Sequence, residues 1–89
     1  AEKADRQAKL QRRRPLLKEL EQLDKQLATW QQEKKQLDER IADPALYARG
    51  DSGEVQSLLK RQGELAARIE QGEERWLTIQ TEIEEIGEL

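Results

Sequence analysis

The sequence predicts an all-α fold, a two-helix antiparallel coiled-coil hairpin, and three observations point to it. Apolar residues recur in alternating steps of three and four through each half of the chain. A stretch rich in Pro, Gly and Asp, residues 43–53, separates the halves. The composition, 39% charged and 3% aromatic with no Phe, Met, Cys or His, is too poor in bulky apolar side chains for a globular core. It is sufficient for one apolar stripe along each of two helices.

The first stripe places Leu20, Leu27, Lys34 and Ile41 at heptad position a, and Leu16, Leu23, Trp30 and Leu37 at d. In the second, Val55, Gln62, Ile69, Trp76 and Ile83 take a, while Leu58, Leu65, Gly72, Ile79 and Ile86 take d. A strand would need period two, and neither half shows it. The helices are expected over residues 15–42 and 53–88, with a connecting loop at 43–52. Residues 1–14 are polar and basic, with Leu10 their one large apolar side chain. They read as a partly helical lead-in or linker, and Pro15 suits a first helical turn or a kink.

Within the loop, Pro44 pushes Asp43 out of helical geometry and ends the first helix. Asp43 then caps a single helical turn beginning at Pro44. Asp51 followed by Glu54 has the spacing of a capping box for the second helix. So short a loop forces the helices antiparallel. Folding there pairs positions whose numbers total about 96. Ile41 then meets Val55, Leu37 meets Leu58, Leu27 lies near Ile69, and Leu20 lies near Trp76. Leu23 faces Gly72, whose missing side chain leaves room for the Trp76 indole. Lys34 faces Gln62 in a polar layer, its stem buried and its ammonium turned outward. Tyr47 is expected to close the loop end of the core with Leu46 and Pro44.

Several functions are excluded or left without support. Lacking His and Cys, the chain has neither the commonest general base nor the strongest nucleophile. Ser52 and Ser57 have no base placed beside them, so the chain reads as a non-enzyme. Gly50 and Gly53 are not followed by the Lys-Ser or Lys-Thr of a phosphate loop. Asp43 and Asp51 read as caps and not as cation ligands, so no cofactor or metal is expected. No apolar run approaches the roughly 20 residues that span a membrane. The opening Ala1-Glu2-Lys3, without Met, reads as an excised fragment, and the absence of Cys fits a cytoplasmic protein. Both Trp residues fall on the seam, which assigns them to packing before base stacking.

Charge is distributed unevenly. The net charge is -3, yet residues 1–18 carry about +5 and residues 70–89 about -6. Hairpin closure sets Lys9, Arg12 and Arg13 across from Glu82, Glu84, Glu85 and Glu88. One cationic cluster comprises Arg12, Arg13, Arg14 and Lys18; a second, nearer the loop, includes Lys34, Lys35, Arg40, Arg49, Lys60 and Arg61. Two readings remain open for them: a solvated, ion-paired surface, or phosphate contacts with DNA or RNA, shape-led and salt-sensitive.

Three segments carry a family resemblance: Arg14-Pro15-Leu16-Leu17-Lys18-Glu19-Leu20, Ala42-Asp43-Pro44-Ala45-Leu46-Tyr47 at the turn, and Glu74-Arg75-Trp76-Leu77. Residues 15–86 resemble the C-terminal coiled-coil domain of ABC-F ATPases of the Uup and YheS type. The resemblance implies a cytoplasmic parent with two ATP-binding cassettes, where ATP and Mg act, and a hairpin associated with nucleic acid or the ribosome. It favours the phosphate reading of the cationic clusters, with contacts expected from Arg12, Arg13, Arg14, Lys18, Lys35, Arg40, Arg49, Lys60 and Arg61. The alternative is a monomeric spacer or protein-interaction hairpin that positions the cassettes without touching phosphate. An aminoacyl-tRNA synthetase arm shares the architecture, but the Pro-x-x-Tyr turn and the acidic second helix argue against it.

Overall fold

The computed structural model describes residues 2–87. Three helices follow in order: α1, Glu2–Ala42; α2, Pro44–Ala48; and α3, Ser52–Ile86. The long helices α1 and α3 pack antiparallel along their length as a rod whose Cα atoms extend 71 × 14 × 14 Å. This is the expected all-α coiled-coil hairpin. None of the described helices is long and apolar enough to cross a membrane.

α1 begins at Glu2 and runs unbroken through Pro15. The proline has no N–H to give the Gln11 carbonyl and its ring crowds the preceding turn. It is tolerated at an exposed position just before Leu16, where seam packing with α3 takes over. Residues 2–14 and 15–42 thus form one helix, without a linker between them.

The turn is built from caps. Asp43 sits in extended geometry (φ -77°, ψ 120°), and its Oδ1 accepts the Ala45 N–H at 2.9 Å. Its own N–H closes the end of α1 by donating to the Arg40 carbonyl at 3.2 Å. Gly50, at φ +69°, takes the left-handed conformation that returns the chain toward α3. Asp51 then caps α3, accepting the Glu54 N–H at 3.1 Å. Only half of the capping box forms, because the Glu54 carboxylate turns away to Arg40 and Arg49. At its far end α3 stops at Gly87, φ +86°, whose N–H reaches the Ile83 and Glu84 carbonyls.

The core is a single line. In α3 the buried residues are Leu65, Gly72, Ile79 and Ile86, successive d positions of one stripe. From α1 Leu27 is buried, and Leu46 of α2 plugs the loop end at 1% exposure. A Cβ placed on Gly72 would lie 2.8 Å from Leu27 Cδ2 and 3.4 Å from Trp30 Cζ3. Gly72, at d of α3, thus meets both Leu27 at a and Trp30 at d of α1, where the sequence reading set Leu23 opposite it. The bare backbone of Gly72 leaves room that Leu27 and Trp30 of α1 fill. Tyr47 is corrected as well. It is 53% exposed, and Leu46 alone of the pair closes the core.

Candidate nucleic-acid interface

Register decides which cations are free, because it decides which carboxylates face them. Three ion pairs cross the hairpin between g positions, along one edge. Arg75 donates to Glu19 at 2.5 and 3.1 Å. Arg61 donates to Glu33 at 2.5 and 3.1 Å and lies 3.5 Å from Glu64. Arg40 pairs with Glu54. The residue numbers of each pair total 94, so the three rungs belong to one register. Paired Arg–carboxylate forks of this kind are directional as well as attractive.

Hydrogen bonds from the two guanidinium groups hold the Glu19 and Glu33 carboxyls below the usual carboxylate range, against a smaller opposing effect of burial. The same bonds raise Arg61 and Arg75 above the ordinary guanidinium value. On the opposite edge, Asp38 accepts hydrogen bonds from Lys34 of its own helix at 2.8 Å and from Gln62 across the hairpin at 2.6 Å, which hold its carboxyl below the usual range in that order of importance. Lys34 and Gln62 thus share one carboxylate in the polar layer. These are ionised acceptors, not carboxyl groups poised to donate a proton.

The nine cations singled out in the sequence do not converge on one patch. Arg40 and Arg61 are rungs of the ladder, and Arg49 lies 3.9 Å from Glu54. Arg13 is half-buried at the seam, and its Nε is enclosed without a hydrogen-bond partner. Arg12, Arg14, Lys18, Lys35 and Lys60 are exposed, and none is in an ion pair among the described residues. Three of these five, Arg12, Arg14 and Lys18, share the first turns of α1, where residues 7–18 contain no carboxylate. Glu82, one of the acidic residues expected across the hairpin, turns to Arg75 at 3.8 Å. Glu88, also placed opposite this cluster, lies outside the described residues.

The aromatic residues offer no stacking platform on the long helices. Both Trp side chains are half-buried in the seam, and the Trp76 Nε1–H donates to Asp24 Oδ1 at 2.9 Å. ATP and Mg do not fit the residues of this chain. It has no phosphate loop, and no group of three metal-ligating side chains gathers among the described residues.

The g-edge ladder went unread in the sequence. Its signal was available: Glu19, Glu33 and Arg40 oppose Arg75, Arg61 and Glu54 in sign at one constant total. No curated protein matches the chain, and no solved structure does. The profile of the ABC transporter C-terminal domain family matches residues 9–81, most of the chain. The chain belongs to the ABC transporter C-terminal domain family.

Proposed function

We propose that this hairpin binds the sugar–phosphate backbone of nucleic acid through the first turns of α1, as an accessory domain of an ABC-type ATPase. One observation supports this most: Arg12, Arg14 and Lys18 are exposed and unpaired among the described residues, within two helical turns and on a stretch without carboxylates. Free cations displace counterions from phosphates, whereas Arg40 and Arg61 would first have to give up their carboxylate partners. Lys35 and Lys60 are outlying contacts further along the rod. With no base-reading side chains, binding is shape-led and insensitive to sequence. ATP and Mg belong to the cassettes of the parent chain, in a cytoplasmic setting.

Titration of labelled duplex DNA and structured RNA over a range of salt concentrations tests the proposal. Affinity should fall steeply as salt rises. The triple reversal Arg12→Glu, Arg14→Glu, Lys18→Glu should abolish binding with helicity intact, and Lys60→Glu should weaken it modestly. No binding at low salt, or an affinity indifferent to salt and to the triple reversal, overturns it.

A second reading rests on the shape. A rod 71 Å long, zipped along one edge, suits a spacer that positions the cassettes against a ribosome without touching phosphate. It requires retention on ribosomal protein after RNA digestion, and indifference to the triple reversal.

A further inference from the structure

The two edges of the hairpin are chemically unlike. The g edge is a ladder of Arg and Glu. On the other edge, the e positions of residues 10–38 and 59–80 carry no Lys or Arg; among them are Leu10, Leu17, Leu59, Asp24, Asp38 and Glu73. Large apolar side chains exposed on the long helices are Leu10, Leu17, Leu59 and Leu77. Each falls at e or at the adjoining b position. Exposed leucines scattered over a surface are ordinary, but their confinement to one edge is not. Midway along that edge lies an open groove of about 450 Å³. Leu27 and Trp76 form its apolar lining, Leu77 stands exposed at 61%, and Asp24 and Glu73 supply its carboxylates.

We infer that this edge docks a cationic amphipathic helix of a partner protein, which completes a three-helix bundle. The inference stands on different residues from the nucleic-acid proposal, although Arg14 and Lys18 border Leu17, so the groove itself is tested at Leu77, Asp24 and Glu73. Charge selects the occupant. Phosphates are repelled by Asp24 and Glu73. A second copy docked through the same edge sets those carboxylates against their own counterparts, because a two-fold interface is self-facing. A helix with leucine-like residues at i, i+3, i+4 and i+7, flanked by Lys or Arg, covers Leu77 and Trp76 and pairs with both carboxylates.

The probes are two synthetic 21-residue helical peptides with Leu at a and d, one flanked by Lys and the other by Glu. Calorimetry on the full chain should show saturable one-to-one binding of the Lys-flanked peptide and none of the Glu-flanked one. The double variant Leu17→Glu, Leu77→Glu should weaken binding at least tenfold. The added carboxylates would strengthen a purely electrostatic attraction, so a loss reports apolar contact. Asp24→Asn with Glu73→Gln should weaken it several-fold. The positions are exposed, so circular dichroism should be unchanged, and backbone amide shifts on peptide binding should map to the e edge. Failure of the Lys-flanked peptide to bind, equal binding of both peptides, or indifference to the leucine changes overturns the inference. So does a chain dimer, seen in sedimentation, that Leu77→Glu dissolves. Loss of duplex DNA binding in the neutral variant Leu17→Ser, Leu77→Ser would assign the groove to nucleic acid instead.

Discussion

Glu33 and Arg61 meet across the hairpin in a two-pronged fork, Nε to Oε2 at 2.5 Å and Nη2 to Oε1 at 3.1 Å, from g positions 28 residues apart. The contact fixes register as well as adding attraction. Slipping α3 by one heptad in one direction sets Glu19 against Glu82 and Arg40 against Arg61; in the other, it sets Glu33 against Glu54 and Arg12 against Arg75. Each slip therefore creates like-charge pairs, a cost that distinguishes the correct register from packing-equivalent alternatives. Arg61→Glu should lower the melting temperature, and Glu33→Arg should do the same. The double variant Glu33→Arg, Arg61→Glu should recover most of the loss, as a thermal-melt double-mutant cycle would report. Additive losses would mean that the fork contributes nothing.

Acid should loosen the hairpin. The carboxyls of Glu19, Glu33 and Asp38 are held below their ordinary range by donors that unfolding removes. A carboxyl lowered in the folded state adds stability above its unfolded value and loses it as pH falls through the folded one. The melting temperature should thus be flat near neutrality and decline through and below the ordinary carboxylate range. Glu33→Gln should flatten that acid limb while lowering stability at pH 7.

Two glycines in α3 should respond differently to alanine. Around Gly63 nothing lies within 4 Å of an added Cβ, so Gly63→Ala should stabilise by about 0.5–1 kcal/mol through helix propensity alone. At Gly72 the same gain meets Leu27 Cδ2 at 2.8 Å, and the two effects should nearly cancel. Gly72→Leu cannot be absorbed and should destabilise by about 1–3 kcal/mol. Urea titrations of the three variants separate these outcomes.

Pro15 interrupts the hydrogen-bond ladder of α1 where the seam begins. Pro15→Ala restores the missing donor, and should raise stability by up to ~3 kcal/mol. Amide exchange over residues 2–14 should slow in step. No change in either would mean that the helix bends around the proline at no cost.

The seams were legible because a heptad is a local pattern: Leu20 and Leu27 declare one face without reference to anything else. The caps were legible for the same reason, since Asp43 and Asp51 act on backbone within three residues. The exact register was less so, because loop length fixes the pairing only to within a residue or two, whereas the g-edge ladder that sets it joins residues far apart in sequence. The pairing total of about 96 expected from the loop lies two residues from the 94 of the ladder, and that difference decides which charges meet. Arg61 reads as available for phosphate in the sequence, yet Glu33 holds it in the folded hairpin. Among the described residues, Arg12 and Arg14 are free because residues 7–18 contain no carboxylate, and Lys18 because Arg75 of α3 takes the adjoining Glu19.

The account depends most on α1 and α3 closing on each other within one chain. The sequence has no cysteine, so Gln22→Cys with Thr78→Cys, both at exposed positions, takes two spin labels without competition. Double electron–electron resonance should give one narrow distance of about two helix diameters, ~20–25 Å, unchanged on dilution with unlabelled protein. A broad or long distribution, or a short distance that vanishes on dilution because it joins two chains, would contradict the hairpin.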